Sequence, residues 1–415
     1  MPTPLTLIQL ISEQTMQNLV PLLALKPARV VHLATPRTAG RSAQIVEAAR
    51  QAQVSTELES IRLSEMPSIP ETSRAVLRVV EAAREAHQTP VINFTGGTKL
   101  MSIGAYEAAM REQVTSLYVN TDHQQFLDGH SGPKLNSVLG DDFSFTPFQN
   151  ALTVNAIAVA NGRQRVTGGR DWQPFLPLAS HFLQSGGDEG AAWQALHGPG
   201  GLCPGGREPR RAGDWLPLLD RPVLLPPRVG ELALAAGLLR ADGAKLLLPD
   251  GTRAKLEELA CAERPALPDY FAAIGPLQFT LAFLSGGWWE VAVADAAQRS
   301  GQFRDLRWSV NAGERQGGPD REDDIVGVDG VQVAYFSCKR GGQKSRLVPL
   351  LDELDNRARS IGGHFTRRFL AVYQPPFGQT AANLHKRARE LNGIQIITPR
   401  DLDNPDTFAR TRTTA

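Results

Sequence analysis

The first 120 residues alternate short apolar runs with helix-like segments, and this alternation constrains the fold most. Apolar runs occur at 5–11, 30–33, 90–94 and 115–120, and segments such as "AQIVEAARQA" and "SRAVLRVVEAAREA" separate them. Parallel strands need a crossover connection between them, usually a helix. The pattern therefore predicts an α/β fold with a parallel-core sheet that helices cover on both faces.

At 415 residues the chain exceeds one ordinary domain. After about residue 145 the periodicity weakens, Gly and Pro become frequent, and order returns near 276 with a helix, a hairpin around Asp329-Gly330 and further strands and helices. The expected divisions are an α/β domain over 1–145, a Gly/Pro-rich linker or insertion over 146–229, a small winged-helix-like module over 230–275, and a second α/β domain over 276–415.

Composition excludes several classes of protein. Hydrophobic residues make up 42% and charged residues 21%, as in folded globular proteins. Lys and Arg number 44 against 43 acidic residues, so net charge indicates no general affinity for nucleic acid or membrane. The three cysteines are too dispersed for a thiolate metal site or a disulfide framework. The amino terminus lacks a basic leader, and no apolar run approaches the roughly 18 residues of a membrane span. A cytoplasmic protein without membrane association is expected.

The stretch "NFTGGTKL", 93–100, follows an apolar strand and precedes a helix. A glycine pair lets backbone amides converge, and the helix amino terminus adds positive potential, so an anion is stabilised there. Thr95, Thr98 and Lys99 supply further donors around Gly96 and Gly97. The stretch lacks the spacing of the common phosphate-binding motifs. A tight turn with a threonine cap remains the alternative.

A second polar loop, 35–42, also follows an apolar strand and contains Thr35, Arg37 and Thr38. In parallel sheets, ligands bind beyond the carboxyl ends of the strands. We expect the two loops to lie at adjacent strand ends and to hold a nucleotide-like ligand together. The alternative is that the loop's arginines are only solvated surface charge.

The carboxyl-terminal segment has the residue types of a metal-dependent nuclease. Glu290 lies on a predicted helix, Asp324 begins the hairpin and Lys339 lies on its second strand. Carboxylates bind Mg²⁺ or Mn²⁺, the metal activates water, and a lysine stabilises the charge that develops. Such sites usually place an acid two residues before the lysine, on the same strand face.

That acid is replaced here by Ser337, a weaker ligand for a hard cation. Metal binding would therefore rely on Glu290, Asp324, water and the backbone carbonyl of Cys338. The neighbouring Glu322 and Asp323 either compensate for the missing acid or are surface charges.

Basic residues are concentrated between 339 and 368, where the sequence has eight basic and three acidic residues. They are Lys339, Arg340, Lys344, Arg346, Arg357, Arg359, Arg367 and Arg368. Such a cluster suits a phosphate backbone read without sequence preference, or else forms a helix face crossed by ion pairs. The nearby Trp288 and Trp289 either stack on bases or belong to the core.

Several motifs together resemble a known family. The segments "SEQTMQNLVPL", "FTGGTKLMSIGAYEAA", "SGGWWE", "EDDIVGVDG", "FSCKRG" and "LDELDNRARSIGGHFTRRFLAVY" occur in the order found in the CARF-containing CRISPR ancillary nucleases. The resemblance covers roughly 4–145 and 230–402. It implies a Rossmann-like CARF domain followed by a restriction-endonuclease-like domain of the PD-(D/E)xK type.

The resemblance also implies a function. Two chains would form a homodimer that binds one cyclic oligoadenylate, most often cyclic tetra-adenylate, made during type III CRISPR antiviral defence. The residues implied for this ligand are Thr35, Arg37, Thr38, Thr95, Gly96, Gly97, Thr98 and Lys99. Glu290 and Asp324 would bind the metal, Lys339 would be the catalytic lysine, and the substrate would be DNA, RNA or both. Ser337 is where the chain departs from the family pattern.

Two other functions remain open at this point. Because Ser337 weakens the metal site, the carboxyl-terminal domain could be a degenerate nuclease fold that senses the messenger and only binds nucleic acid. The amino-terminal domain could instead cleave the messenger itself, although its hydroxyl groups alone do not indicate that activity.

Overall fold

Two six-stranded sheets organise the chain in a computed structural model. The residues described are 3–409 except 122, 141–150, 164–165, 207–208, 210, 250, 262–266, 313–320, 342–346, 364–365 and 392. Within these residues, no helix combines the length and the hydropathy that a membrane crossing requires.

The amino-terminal sheet has the strand order β3-β2-β1-β4-β5-β6. Its strands are β1 Leu5–Leu10, β2 Arg29–Ala34, β3 Glu57–Arg62, β4 Thr89–Asn93, β5 Ser116–Asn120 and β6 Gln125–Asp128. The first five run parallel, and β6 pairs antiparallel with β5. This confirms the predicted parallel core. The strand order reverses between β1 and β4, where such folds form a ligand crevice.

Helices cover both faces of this sheet, as expected. They are α1 Met16–Leu25, α2 Ala39–Gln51, α3 Ile69–Glu85 and α4 Lys99–Glu112, with a short α5 Leu135–Leu139 after β6. Side chains alternate along β1, so Leu7 packs with α1 and α2 whereas Ile8 packs with α3 and α4. The two apolar layers fix the sheet and therefore the positions of the loops at its carboxyl edge.

Helix α6, Val154–Ala160, joins the two halves of the molecule. It is buried on all sides except at Asn155 and packs against α2 and against the second sheet. The core around α1 and α2 continues through it to Val310 and Val328 of the second sheet. The domain boundary expected at 145 falls in 141–150, outside the described residues.

The segment 146–229, expected to be a linker or insertion, contains regular elements among its described residues. After α6 it contains β7 Val166–Arg170, α7 Leu176–Gln184, α8 Gly186–His197 and α9 Ala212–Leu219. Phe182 and Trp215 are fully buried in the core that also holds Trp288. Even in the glycine-rich stretch, Leu202 and Cys203 are buried. The frequent Gly and Pro residues hid an apolar pattern that packs on the second sheet.

The next segment contains the predicted helix and hairpin. Its elements are α10 Pro227–Ala235, β8 Arg240–Asp242, β9 Lys245–Leu247 and α11 Arg253–Cys261. The two strands pair antiparallel. A separate winged-helix-like module over 230–275 stays a prediction, since Leu248 and Leu256 pack into the core that also holds Trp288.

The second sheet has the order β14-β13-β12-β11-β10-β7, with β12, β13 and β14 parallel and the others antiparallel. Its remaining strands are β10 Arg304–Ala312, β11 Arg321–Asp329, β12 Gln332–Gly341, β13 Arg367–Gln374 and β14 Gln395–Ile397. The predicted hairpin is β11–β12, which turns at 330–331. Strand β10 was not predicted.

The helices of this half are α12 Leu267–Ala282, α13 Trp288–Arg299, α14 Leu347–Gly362 and α15 Gly378–Glu390. The helix expected through Trp288 is interrupted, since Phe283–Gly287 forms a π-helical segment between α12 and α13. Trp288 and Trp289 are fully buried, so they belong to the core and cannot stack on a base.

Candidate functional site

The loop between β4 and α4 is pressed against the end of β1. A Cβ atom on Gly96 would lie 2.0 Å from the carbonyl oxygen of Leu10. The next residue, Gly97, has a φ of +76°, in the left-handed region that glycine adopts without strain. Both glycines are therefore required by the path of the backbone, whatever the loop binds.

The hydroxyl groups of the threonines in this loop already form hydrogen bonds within the fold. Thr95 Oγ1 donates to Asn93 Oδ1 at 2.7 Å and accepts from the backbone amide of Val119 at 2.7 Å. Thr98 caps α4, because its hydroxyl accepts from the amide of Met101 at 3.3 Å. Thr98 and Lys99 are exposed, so these two residues offer donors to a ligand more readily than Thr95 does.

In the loop between β2 and α2 the threonines also bond within the fold, and a basic residue is exposed. The Thr38 hydroxyl accepts from the amide of Thr35 at 3.1 Å and lies 3.2 Å from the Thr35 hydroxyl, and both residues are buried. Arg37 is exposed and forms an ion pair of 2.8 Å with Glu13. The threonines shape the turn, and Arg37 is the residue that reaches solvent.

The two loops flank a third strand end and are not adjacent, which corrects the expectation. Strand β1 lies between β2 and β4. The residues that follow it, 12–14, are the part of this edge that sequence reasoning missed. The only signal was a polar "SEQ" directly after an apolar strand.

Buried amides beneath this edge hold the three strand ends together. Gln9 Nε2 donates to the carbonyl of Asn18, and Asn18 Nδ2 donates to that of Leu10, each at 3.0 Å. Asn93 Nδ2 donates to the carbonyl of Gln17 at 2.9 Å. Sequence reasoning did not single out these residues. Their bonds attach the start of α1 to β1 and β4, so the shape of the crevice is built into the core.

The carboxyl-terminal candidates do converge in space. The carboxylate oxygen Oδ2 of Asp324 accepts from the backbone amide of Cys338 at 2.6 Å and from Lys339 Nζ at 3.2 Å. Ser337 Oγ lies 3.4 Å from the same oxygen. The paired register of β11 and β12 ends at Ile325 and Phe336, so Asp324 takes the amide that a regular ladder would give to backbone.

Glu290 faces this group from α13. Trp308 Nε1 on β10 donates to Glu290 Oε2 at 2.8 Å. Burial, followed by the charge of Asp324, raises the pKa of Glu290 to about 8. Two carboxylates held together at low dielectric create a site where positive charge is favoured.

Lys339 lies close to both acids and is partly buried. Burial acts to lower its pKa, but the combined effects of Asp324, Cys338 and Glu290 outweigh burial, so the pKa of Lys339 is raised. Its Nζ also donates to the carbonyl of Cys338 at 3.0 Å. Lys339 therefore stays charged and is held against Asp324.

The missing acid of the motif is not replaced by Asp323. That residue is buried and accepts from the Tyr335 hydroxyl at 2.7 Å. Glu322 is close enough for its charge to raise the pKa of Glu290, although Ser309 Oγ already donates to it at 2.5 Å. Glu322 therefore adds negative potential to the site.

The donor atoms fit a divalent cation of the Mg²⁺ or Mn²⁺ type. Among the described residues, Asp324 Oδ1 and Glu290 Oε1 accept no hydrogen bond, and the Cys338 carbonyl has a second lone pair. Mg²⁺ commonly uses one or two carboxylates and takes its other ligands from water and substrate phosphates. The described part of the chain contains no group of three or more His, Cys, Asp or Glu side chains that could hold a metal. Water molecules would thus complete the coordination in the free protein, and substrate phosphates would replace some of them on binding.

The basic cluster is largely neutralised, which contradicts its expected role as an open phosphate surface. Lys344 and Arg346 lie outside the described residues. Each of the other six forms an ion pair: Lys339 with Asp324, Arg340 with Glu189, Arg357 with Glu353, Arg359 and Arg368 with Asp355, and Arg367 with Asp329. Arg367 and Arg368 are also mostly buried. The alternative of a helix face crossed by ion pairs describes Arg357 and Arg359 on α14.

The raised pKa of Glu290 predicts a pH-dependent stability for the metal-free protein. The folded-state pKa of about 8 lies above the ordinary value of 4.5. Glu290 therefore contributes stability that is complete below about pH 4.5 and is lost as the pH rises through 8. We expect Glu290→Gln to be more stable than the wild type at pH 9, with the difference shrinking toward pH 5. Urea unfolding at pH 5, 7 and 9 measures this, and a pH-independent difference would contradict the burial of the charge.

Comparisons with known proteins bear on the amino-terminal domain and on the fold. Residues 6–134 match the family model of the Card1 CARF domain. Can2 from Sulfobacillus thermosulfidooxidans, solved in complex with cyclic tetra-adenylate, is similar over 96% of both chains, with 18% identity and a TM-score of 0.63. VC1899 from Vibrio cholerae is similar over 97% of this chain and 96% of its own, with 13% identity and a TM-score of 0.64.

A third solved structure is a type III CRISPR defence DNA nuclease activated by cyclic oligoadenylate. The similarity covers 92% of this chain and 48% of that protein, with 16% identity and a TM-score of 0.51. No curated protein sequence matches the chain. At these identities the solved structures establish the fold, and the family model establishes the amino-terminal domain. Residues 6–134 thus match a CARF domain of the Card1 type, and the chain as a whole shares the fold of Can2.

Proposed function

We propose that this protein is a metal-dependent nuclease activated by cyclic tetra-adenylate in type III CRISPR defence. The observation that carries the proposal is the convergence of Glu290, Asp324 and Lys339 in a chain that begins with a CARF domain. Can2 was solved with cyclic tetra-adenylate, and another similar protein is a DNA nuclease activated by cyclic oligoadenylate. A cytoplasmic location follows from this role.

The messenger would bind at the carboxyl edge of the first sheet. Lys99 and Arg37 are exposed there and supply positive charge for the phosphates. Gly96, Gly97 and Thr98 supply the backbone at the start of α4, where the helix dipole favours an anion. Thr35, Thr38 and Thr95 have hydroxyls bonded within the fold, so we assign them chiefly to shaping the crevice.

A second copy of the chain would complete this site. Beside the glycine loop, α4 and the β5–β6 edge expose large apolar side chains, namely Leu100, Ile103, Met110, Tyr118 and Leu127. Tyr118 and Leu127 are direct partners across the two strands. An apolar surface of this kind next to a ligand site indicates a protein interface. It would place two glycine loops around one cyclic ligand in a homodimer.

The carboxyl-terminal residues have separate roles in the proposed reaction. When bound, Mg²⁺ or Mn²⁺ would lower the pKa of a water molecule and offset the charge of the phosphodiester. Asp324 and Glu290 would hold the cation, with the carbonyl of Cys338 as a further ligand. Lys339, kept charged beside Asp324, would stabilise the negative charge that develops on the phosphate. Ser337 can orient Asp324 or a water molecule but brings no charge.

A degenerate nuclease that senses the messenger and only binds nucleic acid is the second candidate, and Ser337 is the observation that favours it. The two candidates predict different outcomes in one cleavage assay. Wild-type protein with Mn²⁺ and cyclic tetra-adenylate is offered supercoiled DNA, single-stranded DNA and RNA, beside Glu290→Ala. The nuclease proposal predicts cleavage of at least one substrate by the wild type alone. Equal background from both proteins would favour the binding function.

A further inference from the structure

We propose that Trp308 is a positioning residue that orients Glu290 for metal binding through its indole N–H. The inference rests on the proposed function, because it concerns the carboxylate that would hold the cation. Trp308 Nε1 donates to Glu290 Oε2 at 2.8 Å. Because Oε2 already accepts this hydrogen bond and Oε1 accepts none among the described residues, Oε1 is the more available oxygen for a cation.

Trp308 is held firmly enough to fix the carboxylate. Its side chain is 2% exposed. Its ring lies 5.6 Å from that of Phe175, 5.9 Å from that of Phe279 and 6.3 Å from that of Phe283. Ring contacts of this kind leave the indole little freedom to rotate. Phe175 directly precedes α7, so the segment whose composition suggested a linker supports the site.

A backbone irregularity aims the indole toward Glu290. Two residues apart on a regular strand, side chains share one face. Trp308 and Val310 point to opposite faces of the sheet: Trp308 packs in one core with α13, and Val310 packs in the other core with α6. Between them Ser309 has a φ of +57°, in the left-handed region that a serine rarely adopts.

The edge strand β7 accommodates the left-handed backbone at Ser309. A Cβ atom on Gly168 of β7 would lie 2.5 Å from the carbonyl oxygen of Ser309. A glycine at 168 thus leaves room for the left-handed turn. Ser309 also donates its hydroxyl to Glu322 at 2.5 Å. Strained backbone of this kind tends to persist where surrounding structure requires it, often at functional sites.

Removing the indole N–H tests the inference. Trp308→Phe keeps an aromatic ring but loses the donor, so we expect the Kd for Mn²⁺ of the full-length protein to rise about tenfold or more, as for other groups that orient metal ligands. Electron paramagnetic resonance of free Mn²⁺ measures this without cleavage. Phe279→Leu is the control, because it disturbs the same aromatic cluster without touching the N–H. It is expected to lower the Tm and leave the Kd unchanged.

A spectroscopic readout covers the case in which Trp308→Phe fails to fold. The chain has six tryptophans, so the ¹⁵N-labelled wild type has six indole N–H groups. Mg²⁺ and the substitution Glu290→Gln are both expected to shift the same indole resonance. If no indole resonance responds to either, or if folded Trp308→Phe binds Mn²⁺ as tightly as the wild type, the inference is overturned. A wild type that binds no Mn²⁺ overturns the proposed function together with the inference.

Discussion

Gly96→Ala is expected to lose the response to cyclic tetra-adenylate and to be less stable than the wild type. The new Cβ atom would lie 2.0 Å from the carbonyl oxygen of Leu10 and 3.1 Å from its carbonyl carbon. These are backbone atoms of β1, which cannot move aside as a flexible side chain could. The glycine loop must therefore shift, at a cost of about 1–3 kcal/mol. A shift that large changes the amides at the start of α4, and we expect the messenger affinity to fall at least about tenfold.

The matched control is Gly40→Ala in the first turn of α2. A Cβ atom on Gly40 would meet nothing within 4 Å. It lies near the start of α2, where alanine is the better helix former. Isothermal titration with the messenger and thermal unfolding of both variants compare the two positions. If Gly96→Ala binds the messenger as tightly as Gly40→Ala does, the crevice has been placed at the wrong edge of the sheet.

Asp324→Asn is expected to lower the cleavage rate by at least about 100-fold. The substitution keeps the shape of the side chain but removes the charge that holds Lys339 at 3.2 Å and would hold the cation. Stabilisation by a metal is worth several kcal/mol in such reactions, and about 1.4 kcal/mol corresponds to a factor of ten. The measurement is the initial rate with saturating Mn²⁺ and messenger.

Asp352→Asn provides the comparison for this variant. Asp352 pairs with Arg387 at 2.5 Å on the surface, so its loss costs at most about 1 kcal/mol. Both substitutions remove one charge from an aspartate that pairs with a basic residue. If Asp324→Asn cleaves at the same initial rate as Asp352→Asn, Asp324 has no role in the reaction.

The sequence was informative where periodicity alone decides structure. The apolar runs around Leu7, Val31 and Ile92 repeat with helices between them, and no other common arrangement buries such strands on both faces. The relative placement of the two polar loops was less accessible, because strand order depends on crossovers that the sequence does not encode locally. For that reason β1 was not foreseen between the two loops.

The candidate nuclease site was recognisable by residue type but not by its support. Glu290, Asp324 and Lys339 were singled out from their order and spacing, and the structure brings them together. Leu306, Trp308 and Val310 alternate with polar residues as in a strand, but the left-handed backbone at Ser309, which turns Trp308 toward Glu290, has no signal in the sequence. Ion pairs between residues far apart in the sequence, such as Arg340 and Glu189, cannot be predicted from a local segment. The neutralisation of the basic cluster was therefore not predictable from the sequence.

In the proposed function, a ligand at the first sheet controls chemistry at the second. Titrating cyclic tetra-adenylate against the initial cleavage rate of the wild type, at saturating Mn²⁺, tests it most directly. We expect the rate to rise with the messenger and to saturate at the concentration at which binding saturates. A rate that is the same without the messenger as at saturation, or no cleavage at any concentration, would contradict it.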